Sequence, residues 1–144
     1  GYYVHGDQRR GAVVELTAPN TELARDLAMH VVATAPMVVR PEDLPQEVLN
    51  KEREIYLSQA EESGKSADIV EKMVEGRIRK YVAEVSLLEQ DFVKDPDKKV
   101  KDLLKSAEVD LVSFVRFEVG EGIEVEEEDF ASEVAAQIAA SDKD

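Results

Sequence analysis

Apolar positions along the first 35 residues change period once, from strand-like to helical. Tyr2 to Val4 and GAVVEL, from Gly11 to Leu16, are short runs rich in aromatic and β-branched residues flanking the turn-prone GDQRRG, which predicts a two-stranded hairpin. TELARDLAMHVVATA then places Leu23, Leu27, Ala28, Val31 and Val32 on one broad face at helical spacing, so a core helix is expected, ending before Pro36. PMVVRPEDLPQ carries prolines at 36, 41 and 45 and reads as a loop with at most a short extended piece.

Beyond Leu44 the apolar stripe narrows. A helix is expected from about Leu44 to Ser63, with Asp43 as its cap, Gln46 completing a capping box and Pro45 in the first turn. Its seam is thin, running through Leu49, Tyr56 and Ala60 with Val48 and Ile55 beside it, which suits one partner helix. Gly64 and Lys65 end it and Ser66 caps the next helix, whose seam Val70, Val74, Ile78, Tyr81, Val85 and Leu88 alternates steps of four and three as in a coiled coil. Two arms of about 20 residues, each roughly 30 Å long, would form an antiparallel hairpin projecting from a small domain. Gly76 interrupts the second arm, at a cost of roughly 1 kcal/mol. Close approach of the facing helix, or of an incoming protein, is the expected compensation.

DFVKDPDKK reads as a loop and KKVKDLLKSA as a short helix. VDLVSFVRFEV is the clearest strand, with Val109, Leu111, Val115, Phe117 and Val119 apolar on one face and Val112 and Phe114 adding to the other, so both faces should be partly covered. GEGIE breaks it, and a last helix is expected from about Glu127, carrying Phe130, Val134, Ala135 and Ile138. Together these elements predict an α+β fold: a small antiparallel sheet packed with helices, plus a projecting antiparallel coiled-coil hairpin. Residues 1–43 and 89–126 would form the core subdomain, 44–88 the inserted hairpin and 127–144 a C-terminal helical module.

Charge narrows the range of partners. With 32 acidic against 18 basic residues and a net charge of −14, the 144-residue chain should repel phosphate backbones and anionic lipid, so neither nucleic acid nor membrane is expected as a direct partner. The absence of cysteine excludes disulfides, a thiol nucleophile and thiolate metal sites, and agrees with a reducing compartment. No run approaches the ~20 apolar residues of a membrane span, and a cytoplasmic protein is expected. The strand-like opening at Gly1, Tyr2 and Tyr3 suggests a piece of something longer.

Candidate chemistry is sparse. There are two histidines, with no HxxxH or HExxH pattern: His30, on the core helix, is expected to be structural, and His5, in a turn-prone stretch, is a candidate contact residue. VEEEDF lacks the spacing and glycines of a calcium loop, and acidic residues at a helix start are explained by the helix dipole. GEGIE lacks the lysine and the third glycine of the phosphate-binding loops it superficially resembles. Arg77, Arg79 and Lys80 share their helix with Glu71, Glu75 and Glu84, as on a solvated face. No catalytic residue, cofactor or metal is expected, and a projecting hairpin without an active site points to macromolecular recognition.

Several blocks carry a resemblance. VEKMVEGRIRKY, EVSLLEQDFVKDP, KKVKDLL and FVRFEVGEGIE, with the lead-in YVHG and the helix ending LAMHVVA, closely resemble the bacterial translation elongation factor Ts family, in order and spacing from about Tyr3 to Ile138. The resemblance implies a guanine nucleotide exchange factor, without covalent chemistry, that binds elongation factor Tu in its GDP-bound and nucleotide-free forms and promotes GDP release. It implies that His5 and the Phe92-Val93 pair lie on the surface that meets the third domain of factor Tu. It also implies that the last helix, with Phe130 and Val134, reaches the nucleotide-binding domain. Gly76 falls in the family's E-G-R block, which identifies the hairpin without assigning the glycine a contact. The family's amino-terminal module and its T-D-F-V wedge do not occur in these residues, so weak exchange is expected from this chain alone. GDQRRG is slightly longer and more basic than the family's turn, which bears on the pose of His5. The alternative is a non-catalytic interaction module that forms homodimers through the hairpin or the core; a hydrolase built on clustered carboxylates is the remote third.

Overall fold

The structure, a computed structural model, describes residues 1–120, so the expected helix from Glu127, with Phe130 and Val134, lies outside the described residues. Strands β1 (Tyr2–Val4) and β2 (Arg10–Leu16) form the expected hairpin, pairing Tyr2 with Val13 and Val4 with Gly11. Asp7 closes the turn between them, accepting from the Arg9 N–H and pairing with Arg10 at 2.9 Å. Those two contacts hold its carboxyl below the usual carboxylate range. Helix α1 (Thr21–Thr34) starts where the Asn20 side chain accepts from the Leu23 N–H, and ends at Ala35 in a left-handed conformation just before Pro36.

One face of α1 lies across the sheet, where Leu27, Ala28, Val31 and Val32 pack with Ala12, Val14 and Leu111 in one buried cluster. Each such large side chain contributes about 1.5–3 kcal/mol on burial. The third strand, β5 (Leu111–Glu118), pairs antiparallel with β2, so the sheet order is β1-β2-β5. Arg116 reaches under it to the Val32 carbonyl in the last turn of α1, at 3.4 Å, and meets Glu118 at 3.0 Å.

The strand exists where the sequence places it, but not with the expected faces. Leu16 opposes Leu111 and Glu15 opposes Ser113, so Val112 is an extra residue, a β-bulge that inverts the alternation. Beyond it Phe114 packs on the core, while Val115 and Phe117, expected on the same face as buried Leu111, are 50% and 59% exposed. Among the described residues the outer sheet face is uncovered and apolar, presenting Tyr2, Val4, Val13, Val115 and Phe117.

The proline loop holds its short extended piece: Val38 and Val39 accept from the Leu87 and Leu88 N–H groups, and a bidentate Arg40–Asp110 pair at 2.8 Å ties the loop to the start of β5. Helix α2 spans Gln46–Glu61 and not 44–63. The residue before a proline is driven out of the helical region, so Leu44 is extended at ψ 126° and the helix begins only after Pro45. Asp43 accordingly accepts from the Arg40 N–H, closing the one-turn 3-10 helix Pro41–Asp43 instead of capping α2.

Gly64, at φ 69°, turns the chain into α3 (Ala67–Val85). The two helices pack through Ala60, Val70 and Val74, with Tyr56 and Ile78 alongside, a small cluster separate from the core cluster. Helix α3 stops at Val85, so Leu88 sits in a 3-10 turn (Leu87–Glu89) and packs on the main core. The close packing expected at Gly76 does not occur among the described residues, where a Cβ would meet nothing within 4 Å. Gly76 stands two residues from both Val74 and Ile78, about 200° around the helix from the seam.

DFVKDPDKK also departs from its expected loop, forming a two-stranded antiparallel pair, β3 (Asp91–Phe92) and β4 (Asp95–Lys99). Helix α4 (Val100–Ser106) follows and buries Val100 and Leu104. Among the described residues no helix is long and apolar enough to cross a membrane.

With open space at Gly76, Gly76→Ala is expected to raise the unfolding free energy by about 0.5–1 kcal/mol through helix propensity. A higher urea midpoint at unchanged slope would show it, whereas a loss would mean that this face is covered. Ser86 Oγ is buried without a hydrogen-bond partner among the described residues. Because an unpaired buried hydroxyl costs about 1–3 kcal/mol, Ser86→Ala is expected to be neutral or stabilising in the same titration.

Candidate functional site

Among the described residues no group of three or more histidine, aspartate or glutamate side chains could hold a metal ion. The cavities among the described residues are surface grooves. One of about 420 Å³ lies along the helical hairpin, lined by Arg53, Leu57, Glu61, Val70 and Val74. Arg77, from the expected basic cluster, lies over the Tyr56 ring at 5.6 Å and donates to Gln59 at 2.8 Å, while Lys80 pairs with Glu84 at 3.9 Å. Arg77 and Lys80 are thus tied into the surface of the hairpin.

The β3–β4 turn is the most constrained of the predicted contact positions. Phe92 and Val93 are neighbours in sequence with opposite environments: Phe92 is 6% exposed in the core, and Val93 is 43% exposed at the tip. The Phe92 ring stacks on His30 with centroids 5.9 Å apart. Val93 is held from behind, its N–H donating to His30 Nδ1 at 3.1 Å. Lys94 pairs with Asp26, one turn earlier on α1, at 3.1 Å. The turn is therefore fastened to α1 at three successive residues, with the Val93 side chain outward.

His30 itself is fully buried and hydrogen-bonded on both ring nitrogens, by Gln90 at Nε2 and Val93 at Nδ1. Burial pushes its pKa below the ordinary histidine value, and the Gln90 hydrogen bond opposes that shift. A structural role for His30 is what its position on an apolar helix face suggests. Its link to Val93 is not visible in sequence, since the partners are 60 and 63 residues away.

His5 lies elsewhere, at the end of β1. Its backbone N–H donates to the Arg10 carbonyl at 2.8 Å, and its Nδ1 lies 3.2 Å from the Tyr3 hydroxyl. The ring is half-buried against Tyr3. Phe130 and Val134 lie outside the described residues.

Comparison with known proteins gives this arrangement a context. A family model described as Elongation factor TS matches residues 1–121. Among curated relatives named Elongation factor Ts, that of Marinobacter nauticus is 61% identical over 136 residues, covering 94% of this chain and 47% of that protein. Those of Hahella chejuensis and Aeromonas salmonicida are each 59% identical, over 96% and 99% of this chain and 48% of their own length. The chain spans about half the length of the curated relatives it matches.

The contrast at the turn is testable by stability alone. Phe92→Ala removes a buried ring and is expected to cost about 3–5 kcal/mol in urea unfolding. Val93→Ala removes an exposed side chain and is expected to change the same midpoint by less than about 0.5 kcal/mol.

Proposed function

The chain belongs to the elongation factor Ts family, and from that membership we propose that it is the docking half of a guanine nucleotide exchange factor acting on elongation factor Tu in translation elongation. The observation that carries the reading is the family match over residues 1–121 at relatives' identities of 59% to 61%. Residues 1–43 and 89–126 act as the core that seats the partner, 44–88 as an inserted hairpin and 127–144 as a further contact module bearing Phe130 and Val134. Val93 and His5 supply side-chain surface to the partner. Phe92 acts from below, as the anchor of the turn. The working compartment is the cytoplasm, where translation takes place.

Exchange of this kind needs no nucleophile or general base. A factor that binds the nucleotide-free form of its partner more tightly than the GDP form lowers the affinity of the partner for GDP by the same factor. Only differential contact is required, and rigid surface positions supply it best because little freedom is lost on binding. Since the chain spans about half of its relatives, it is proposed to bind factor Tu while accelerating nucleotide release only weakly.

A second reading, a homodimer through the core, is favoured by the apolar sheet face that Val13, Val115 and Phe117 leave exposed among the described residues. Contiguous exposed apolar surface of this sort commonly marks an interaction site. Sedimentation at increasing concentration separates the two readings: a monomer that binds factor Tu supports docking, and a dimer that does not bind supports the alternative.

In a release assay with a fluorescent GDP analogue, the chain is expected to bind nucleotide-free factor Tu and to accelerate release slightly. Val93→Asp is expected to weaken that binding by at least about tenfold, or ~1.4 kcal/mol, without loss of fold. Unchanged affinity would remove Val93 from the docking surface.

A further inference from the structure

Two backbone groups leave the His30 ring no choice of tautomer. The Val93 N–H can only donate, so Nδ1, 3.1 Å away, accepts and carries no proton. The Glu84 carbonyl can only accept, so Gln90 presents Nε2 to it at 2.6 Å and turns Oε1 towards the imidazole. His30 Nε2, 2.9 Å from that oxygen, is therefore the protonated nitrogen. Thr34 Oγ1 closes the network, 3.0 Å from the same oxygen and 2.9 Å from the His30 carbonyl.

Resting on the reading that Val93 belongs to the docking surface, we propose that His30 is a positioning residue whose neutral Nε2–H tautomer holds the Val93 turn in place, and whose protonation at Nδ1 releases it. A proton on Nδ1 would set two donors against each other at 3.1 Å. The Val93 N–H then loses its acceptor. Phe92, stacked on the ring, transmits the disturbance to the base of the turn.

Charge near the ring does not decide its protonation. Asp26 on α1 is paired with Lys94 at 3.1 Å, and Glu84 at the end of α3 lies 3.9 Å from Lys80. In the segment that follows, Glu89 pairs with Lys101 at 3.0 Å and Asp91 with Lys99 at 3.5 Å. None of these side chains hydrogen-bonds to the imidazole, and burial is the dominant influence. The unfolded chain therefore takes up the proton more readily than the folded one. The stabilising contribution of His30 is fully present above the ordinary value of 6.5 and is lost as the pH falls through the lower folded value.

Hydrogen exchange by NMR on the 144-residue chain tests the link directly, because the Val93 amide reports whether its acceptor is present. Its protection factor is expected to fall at least about tenfold as the pH is lowered from above the ordinary histidine value to the point where the His30 ring, followed by its own NMR signals, takes up the proton, while the Leu27 and Val31 amides of α1 keep theirs. His30→Asn, whose carbonyl oxygen can replace Nδ1 as a non-titrating acceptor, is expected to keep Val93 protected at both ends of the range. His30→Gln, whose carbonyl extends towards Gln90, is expected to lose that protection throughout. Val93 protection that stays unchanged in the unmodified chain while the His30 ring signals show it protonating overturns the proposal, and this series decides even if both variants fail to fold.

Binding to nucleotide-free factor Tu forms the second arm. Affinity should decline with the Val93 protection in the unmodified chain and stay level in His30→Asn. If protection follows His30 but Val93→Asp binds normally, the docking reading has failed and the positioning of the turn stands. If Val93→Asp loses binding while Val93 protection is indifferent to His30, docking stands and the positioning role is overturned.

Discussion

Burial of one face of α1 against the inner face of the β1-β2-β5 sheet is the contact from which the other elements take their positions. Leu27, Ala28 and Val31 meet Ala12, Val14 and Leu111 there, and Leu87, Phe92, Val100 and Leu104 complete the same cluster from the second half of the chain. A three-stranded sheet with one seven-residue and one eight-residue strand has little stability of its own, so its register depends on the helix that covers it. The bulge at Val112 follows from that dependence. It lets Leu111 stay buried while Phe114 and Arg116 turn towards α1, and it leaves Val115 and Phe117 outside.

Polar contacts then do what apolar packing cannot, which is to fix orientation. The hydrophobic effect is non-directional, and a β3–β4 pair made largely of charged residues has only Phe92 to bury. His30 and Gln90 supply direction, each hydrogen-bonding a partly buried backbone group. The outcome is an exposed valine on a turn whose backbone is anchored to the core helix. A surface of this kind suits a protein that acts by binding two states of a partner unequally, because preorganised contacts distinguish those states without ordering costs.

Legibility in the sequence followed the strength of periodicity. Helices α1 and α3 could be read because their apolar residues recur every three or four positions, and the seam residues Val70 and Val74 are buried as that recurrence requires. The β3–β4 pair could not be read, since Asp-Pro-Asp-Lys-Lys has no alternation and the pair is held by backbone pairing and, at its turn, by a histidine 63 positions before Val93. Gly76 lies two residues from Val74 and from Ile78, which puts it on the side of the helix away from those buried or packed positions, although it is near the seam in sequence. At the candidate site, His5 could be singled out as a histidine in a turn-prone stretch, whereas the Phe92-Val93 pair could be named only through the family resemblance. Which member of the pair is buried depends on the direction in which the turn leaves the core.

By itself the sequence determined the number and kind of most elements, the acidic surface, the lack of thiol chemistry and the family, because periodicity, charge and ordered motif blocks are properties of a linear string. Tertiary structure alone decided which strand face is covered, where α2 begins beyond its proline, and that His30 reaches across the fold to hold Val93. Those outcomes depend on pairing register and on donors and acceptors brought together from distant positions. Both are settled only when α1 closes on the sheet and removes water from the groups between them.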